Sequence, residues 1–160
     1  MVNKSLNHIK LVLTDIDGVW TDSKFYYNEN GFAFKSFSTY DGMGVEILKK
    51  NNLETVIISS ENCSAARARS LKLNIKHCYL GEKDKYKRAK SLCRKFNLNL
   101  ENLAFIGDDI NDLKLLKEVG FSAMPPNSPI LNLFKPNYIT KRAGGDGAFR
   151  EFADMIINNL

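Results

Sequence analysis

Short apolar runs alternate with amphipathic segments along the chain, and this alternation restricts the fold more than any other feature of the sequence. Ile9 to Thr14, Thr55 to Ser59, Ile75 to Leu80 and Leu103 to Ile106 read as buried strands, with Phe121 to Met124 and Asn137 to Thr140 as shorter ones. Residues 42–51, 62–73, 83–97, 109–118 and 127–134 carry helical periodicity. A last helix over Ala148 to Asn158 places Phe149, Phe152, Ile156 and Ile157 on a common side. Strands joined through helices call for parallel pairing and a sheet covered on both faces. The expected fold is α/β, a doubly wound, mostly parallel, Rossmann-like sheet. With 160 residues, the prior is a single domain over 1–160 around one core.

Composition removes several classes. With 44% hydrophobic and 26% charged residues the chain is compositionally globular, which argues against disorder. Its longest apolar runs, such as Val56-Ile57-Ile58, are far too short to span a bilayer. Met1 to Lys10 holds no apolar stretch of signal-peptide length, so a cytoplasmic protein with no membrane partner is expected. Cys63, Cys78 and Cys93 are odd in number and form no Cys-x-x-Cys pair, which suggests neither a disulfide framework nor a zinc site. The net charge of +5 suits an anionic partner. The basic residues are scattered from Lys10 to Arg150 rather than gathered in one block, so nucleic acid is not expected.

One segment breaks the rhythm. Phe25-Tyr26-Tyr27 and Phe32-Ala33-Phe34 flank Asn28-Glu29-Asn30-Gly31, and Asn-Gly is a strong hairpin signal. The hairpin stands directly after the first strand, where a simple doubly wound fold would enter a helix. So many aromatics on one short hairpin expose an apolar patch unless something covers it, and a subunit contact is expected there.

In open parallel sheets, active sites lie outside the carboxyl ends of the strands. Four polar groups fall at those ends. Asp15-Ile16-Asp17-Gly18 follows the first strand, with Ile16 free to point into the fold. Of two carboxylates so spaced, one can bind a cation and attack phosphorus while the other moves a proton at the bridging oxygen. Gly18 lets the backbone approach a phosphate closely. Ser59-Ser60 closes the second strand, where hydroxyls, backbone N–H groups and the start of a helix can hold phosphoryl oxygens. The same residues read equally well as a helix cap at Ser60 with Glu61 in the first turn. Lys85, after Asp84, can neutralise both a carboxylate and an incoming phosphate. Gly107-Asp108-Asp109-Ile110-Asn111-Asp112 packs like charges that repel unless a cation offsets them. Oxygen-rich ligands of this kind suit magnesium.

In this order and at successive strand ends, the four groups resemble the motifs of the haloacid dehalogenase superfamily, and the resemblance covers nearly the whole chain from about Lys10. It implies that Asp15 is the nucleophile and becomes phosphorylated, that Asp17 is the general acid/base, and that Ser59 and Lys85 bind the phosphoryl group. It also implies that Asp15, the Asp17 backbone carbonyl and Asp108 hold Mg2+, with Asp109 and Asp112 supporting that site. Many relatives insert a cap domain; here residues 19–41 hold only the hairpin and 61–84 one helix and one strand, so no cap is expected.

The hairpin, Thr39-Tyr40-Asp41-Gly42, Gly81-x-x-Asp84-Lys85 and Gly144-Gly145-Asp146-Gly147-Ala148-Phe149-Arg150-Glu151 resemble the 3-deoxy-D-manno-octulosonate 8-phosphate phosphatase group. That resemblance implies a phosphatase of a small 2-keto-3-deoxy sugar acid phosphate, a homotetramer with packed hairpins, and a glycine-rich segment closing a neighbour's site. The group usually continues its second motif as Ser-Gly-Arg/Lys, whereas this chain reads Ser59-Ser60-Glu61-Asn62. Glu61 with Lys72 resembles the relatives that act on nine-carbon sugar acid 9-phosphates, including those linked to sialic acid. Gly18, Asp41, Ser60, Glu61, Arg67, Lys72 and Arg150 are the candidate substrate contacts, and Arg67 reads equally well as a surface charge. Two other functions fit parts of the pattern. A phosphatase of macromolecular phosphomonoesters would use the open site and predicts a monomer. A non-catalytic phospho-receiver shares the acidic pocket but normally lacks an acid/base two residues after its aspartate, and Asp17 argues against it.

Overall fold

The computed structural model describes residues 5–160; the first four residues of the Met1–Lys10 segment lie outside them. The chain forms β1 (Leu11–Thr14), a hairpin of β2 (Tyr26–Asn28) and β3 (Gly31–Phe34), α1 (Thr39–Lys50) and β4 (Glu54–Ser59). It continues through α2 (Ser64–Lys72), β5 (His77–Leu80), α3 (Lys85–Phe96), β6 (Leu103–Ile106) and α4 (Leu113–Glu118). β7 (Phe121–Met124), β8 (Tyr138–Ile139) and α5 (Ala148–Ile157) complete it.

Six strands form one sheet in the order β5-β4-β1-β6-β7-β8, with every neighbouring pair parallel. Successive residues of a strand face opposite sides, and both sides are apolar here. Val12, Ile57, Ala104 and Ile106 meet Val45 and Leu48 of α1 and Phe149 and Phe152 of α5. Leu11, Leu13, Val56, Ile58 and Phe105 meet Leu92 of α3 and Leu115 and Leu116 of α4. Each of the larger of these side chains, removed from water, stabilises the fold by roughly 1.5–3 kcal/mol. The expected α/β sheet is borne out, and no cap domain stands between its strands.

Three helix expectations need correction. Residues 127–134 form turns instead of a helix. Pro129 brings no N–H to the ladder and Pro136 disfavours helix in the residue before it, so too few residues remain between them to propagate one. Helix 109–118 begins only at Leu113, because the N–H groups of Asp108 and Asp109 are turned onto the Asp112 carboxylate. The cap of α2 is Cys63, not Ser60; the Ser60 hydroxyl donates instead to the Glu82 carbonyl at 3.2 Å.

Candidate active site

β1 sits between β4 and β6, so the loops leaving these three strands open onto one crevice. The Asp15 N–H still donates to the Ile106 carbonyl at 3.0 Å, which holds Asp15 in register with the end of β6. Ile16 and Trp20 beneath it are fully buried, and the Trp20 indole N–H donates to Thr14 Oγ1 at 2.9 Å. The backbone on both sides of Asp15 is thereby fixed before any ligand arrives.

Lys85, the first residue of α3, is buried with its ammonium between two carboxylates. Asp84 caps that helix by accepting from the Lys87 N–H at 2.9 Å, which sets the direction in which Lys85 leaves the backbone. Lys85 Nζ lies 2.6 Å from Asp112 Oδ1, a hydrogen-bonded pair, and 2.9 Å from Asp15 Oδ1. The second contact is an ion pair off the direction of a hydrogen bond, so Asp15 Oδ1 keeps no hydrogen-bond partner. Asp112 Oδ2 accepts from the Asp108 N–H at 2.9 Å, so both Asp112 oxygens are engaged. A Cβ on Gly107 would meet Asp112 Cγ at 2.6 Å, so glycine is what admits that carboxylate.

Burial and mutual repulsion shape the charges. Asp15 is held well above the ordinary aspartate range by burial first and the Asp112 charge second, with Lys85 opposing. Asp108 is pushed up to about 7 by burial, then by Asp112 and Asp109. For Lys85, burial alone would lower the pKa, but Asp15 and Asp112 outweigh it and raise the ammonium. A site that raises its carboxylates in this way lacks positive charge. Carboxylate oxygens of Asp15, Asp108 and Asp112 lie within 4.8 Å of one another. Since Asp112 is already engaged and Asp15 Oδ1 faces the Lys85 ammonium, the second Asp15 oxygen and the Asp108 carboxylate are the ligands left for a divalent ion. This donor set fits magnesium.

An open cleft of about 270 Å³ lies over these groups. Asp15, Asp17, Ser59, Ser60, Glu61, Asp108 and Asp109 line it, so the structure brings seven of the expected residues together. The other expected substrate contacts stand apart from it. Arg67 and Lys72 are exposed on α2. Arg150 holds both oxygens of Asp154 at 2.9 Å and lines a separate cleft with Tyr40 and Arg142. Asp41 is fully buried, accepts from the Arg150 N–H at 3.0 Å, and is raised to about 6 by burial. Gly18, at φ +87°, faces protein rather than open cleft: a Cβ there would meet Asp108 Oδ2 at 1.8 Å. The glycine-rich segment likewise packs on its own chain, where a Cβ on Gly144 would meet the Gly18 carbonyl at 1.9 Å.

Sequence reasoning missed Ser23, Phe25 and Lys83 in the cleft wall, and Lys35, Asn111 and Ser128 as partners of site residues. Lys35 pairs with Asp17 at 2.7 and 2.9 Å. The Asn111 side-chain amide donates to Ser60 Oγ at 2.9 Å. Ser128 Oγ donates to the Asp108 carbonyl. Asn111 was legible inside its motif, whereas Lys35 and Ser128 arrive from distant segments without any local signal.

Residues 21–147 match the family described as haloacid dehalogenase-like hydrolase. The chain belongs to the haloacid dehalogenase-like hydrolases. The 3-deoxy-D-manno-octulosonate 8-phosphate phosphatase of Haemophilus influenzae is 35% identical over 156 residues, covering 98% of this chain and 87% of that one. The structure of the same-named phosphatase from Yersinia pestis superposes with a TM-score of 0.91 at 32% identity, covering 96% of this chain and 83% of the other. That from Moraxella catarrhalis, in complex with magnesium, phosphate and the octulosonate, gives 0.88 at 33% identity, covering 97% and 89%. These haloacid dehalogenase-like hydrolases are phosphoric monoester hydrolases, and the expected enzyme class is borne out.

Proposed function

We propose that this haloacid dehalogenase-like hydrolase is a magnesium-dependent phosphatase of 3-deoxy-D-manno-octulosonate 8-phosphate, acting as a single domain over residues 1–160 in the cytoplasm. The observation that carries the reading is the buried Lys85 ammonium between Asp15 and Asp112, beneath a cleft that Asp15 lines with Asp17, Ser59 and Asp108. The likeness to octulosonate phosphatases supports the substrate.

Asp15, the Asp17 backbone carbonyl and Asp108 would hold magnesium, which offsets phosphate charge so that an anionic nucleophile can approach. Ser59 and Lys85 hold the phosphoryl oxygens, with Asp109 and Asp112 fixing the Asp108 loop. The Asp15 carboxylate attacks phosphorus as the phosphorus–oxygen bond to the sugar acid breaks, and Asp17 delivers a proton to the departing oxygen. Asp17 then takes a proton from water as that water attacks the aspartyl-phosphate. Phosphate leaves and Asp15 is restored.

The kcat/KM for the eight-carbon 8-phosphate against nine-carbon 9-phosphates tests the substrate, with about a tenfold ratio or more expected for the eight-carbon acid. Glu61 in the cleft favours the nine-carbon reading, although Lys72 does not join it there. A reversed ratio replaces the first substrate with the second.

Tyr26, Tyr27, Phe32 and Phe34 are all more than a third exposed in the single chain, which supports a homotetramer with packed hairpins. Light scattering is expected to give four times the chain mass; a monomer sinks the tetramer and revives the macromolecular substrate.

Magnesium is expected to raise Tm over a chelator control, since a ligand bound only by the folded state stabilises it. Protons compete with the ion for Asp108, which titrates near 7. The Tm gain should therefore shrink as pH falls below about 7 and vanish in Asp108→Asn. A gain that is independent of pH and survives this change would remove Asp108 from the ligand set.

A further inference from the structure

Lys35 is a buried cation whose only charged contact among the described residues is the carboxylate read above as acid/base. Its side chain is 1% exposed. Nζ reaches both Asp17 oxygens, at 2.7 and 2.9 Å, and lies 4.1 Å from the centroid of the Phe25 ring. A lysine removed from water needs a partner that repays its lost hydration, and here the pair fastens the hairpin to the cleft. Lys35 directly follows β3, on which Phe32 and Phe34 are exposed. The two-residue period of a strand puts Lys35 opposite those aromatics. The hairpin thus shows its aromatics outward and drives this one ammonium inward.

A carboxylate turns freely about its last bond unless its oxygens are held. Besides Lys35, only the Thr21 hydroxyl, at a long 3.4 Å, bonds the Asp17 side chain among the described residues. A two-oxygen grip fixes the plane of the group. It also leaves part of the roughly four lone-pair positions of a carboxylate for a proton or a substrate oxygen. We infer that Lys35 is a positioning residue, which orients the Asp17 carboxylate for proton transfer and ties that orientation to the seating of the hairpin. The inference rests on the reading of Asp17 as general acid/base and is independent of which sugar acid is the substrate.

Proton delivery matters most when the departing oxygen is basic, so a leaving-group series separates positioning from folding or phosphate binding. Wild type, Lys35→Met, Lys35→Arg, Asp17→Asn and the Lys35→Met/Asp17→Asn pair are compared with magnesium on 4-nitrophenyl phosphate and phenyl phosphate. General acid catalysis is typically worth about 10²–10⁴-fold. Lys35→Met is therefore expected to lower kcat on phenyl phosphate by on the order of 10²-fold, and on the nitrophenyl ester by only about threefold, with KM nearly unchanged. Lys35→Arg should restore most of the loss, and Lys35→Met should cost nothing further once Asp17 is Asn. If Lys35→Met does not fold, Lys35→Gln, whose neutral amide can hold one Asp17 oxygen but not both as the ammonium does, is expected to show a smaller loss that is still larger on phenyl phosphate than on the nitrophenyl ester, and an equal loss on both esters overturns the inference there too. An equal loss on both esters, or a further loss in the Asp17→Asn background, overturns the inference. A wild type that cleaves these esters but no sugar acid phosphate sinks the substrate reading alone and leaves this comparison intact.

Discussion

Asp15→Asn is expected to lower kcat by about four orders of magnitude or more, as removal of an attacking group does in other covalent enzymes, while raising the Tm of the metal-free protein. Both effects come from one carboxylate. An amide keeps the shape of the side chain but cannot form the acyl-phosphate. Asp15 is buried, its Oδ1 has no hydrogen bond, and its pKa is raised by burial and by Asp112. A carboxyl group whose folded pKa lies above its unfolded value binds more protons in the folded state over that interval. Its ionisation therefore lowers stability as pH rises from about 4 through the folded pKa. Asparagine carries no such penalty. For a chain of this size 1 kcal/mol corresponds to roughly 2–4 °C, so a gain of a few degrees at pH 8 is expected, fading toward pH 4. Scanning calorimetry with a chelator across that range, beside turnover with magnesium, checks both. Retained turnover would remove Asp15 as nucleophile, and a lower Tm at pH 8 would show that its charge does not strain the fold.

The sheet was legible because a strand buried on two sides must be apolar at every position. Leu103–Ile106 and Phe121–Met124 have the expected bounds for that reason. The chemical residues were legible because each follows such a strand directly, as Asp15 follows Thr14 and Asp108 follows Ile106 by two. What failed was periodicity without context. Residues 109–113 have apolar spacing suited to a helix, yet the Asp108 and Asp109 N–H groups turn onto the Asp112 carboxylate and the Ile110 N–H onto Asp109 Oδ1. The substrate contacts expected outside the motifs stand apart from this chain's cleft for another reason. Lys72 was named with Glu61 on a resemblance, and Arg67 and Arg150 as cations for the substrate, and neither ground says which face of a helix meets the cleft. Lys35 was illegible for the opposite reason, since an ion pair across eighteen positions leaves no local pattern.

Lys85→Met should reveal how much of the site is held by one ammonium. Lys85 is buried and contacts Asp15 and Asp112 within 3 Å. Methionine fills much of the same volume, so packing is nearly kept while the charge is lost. Breaking a buried pair from one side costs about 3–5 kcal/mol, because the remaining charge is left uncompensated. Here two carboxylates lose their partner, and the expected fall in Tm at pH 8 is on the order of 10 °C. The sign of its pH dependence follows from the same carboxylates. Asp15 is held above the ordinary aspartate range by burial, so as pH falls it takes up a proton and part of the penalty lifts, and the deficit of Lys85→Met should be smaller at pH 5 than at pH 8. Adding Asp112→Asn should recover stability at pH 8 by removing one of the stranded charges, but not turnover, since the phosphoryl group still lacks the ammonium. Thermal melts of the three proteins at both pH values, with turnover at pH 8, decide the matter. If Lys85→Met melts like wild type at pH 8, the acids are tolerated without the ammonium, and its place between them serves the phosphate alone.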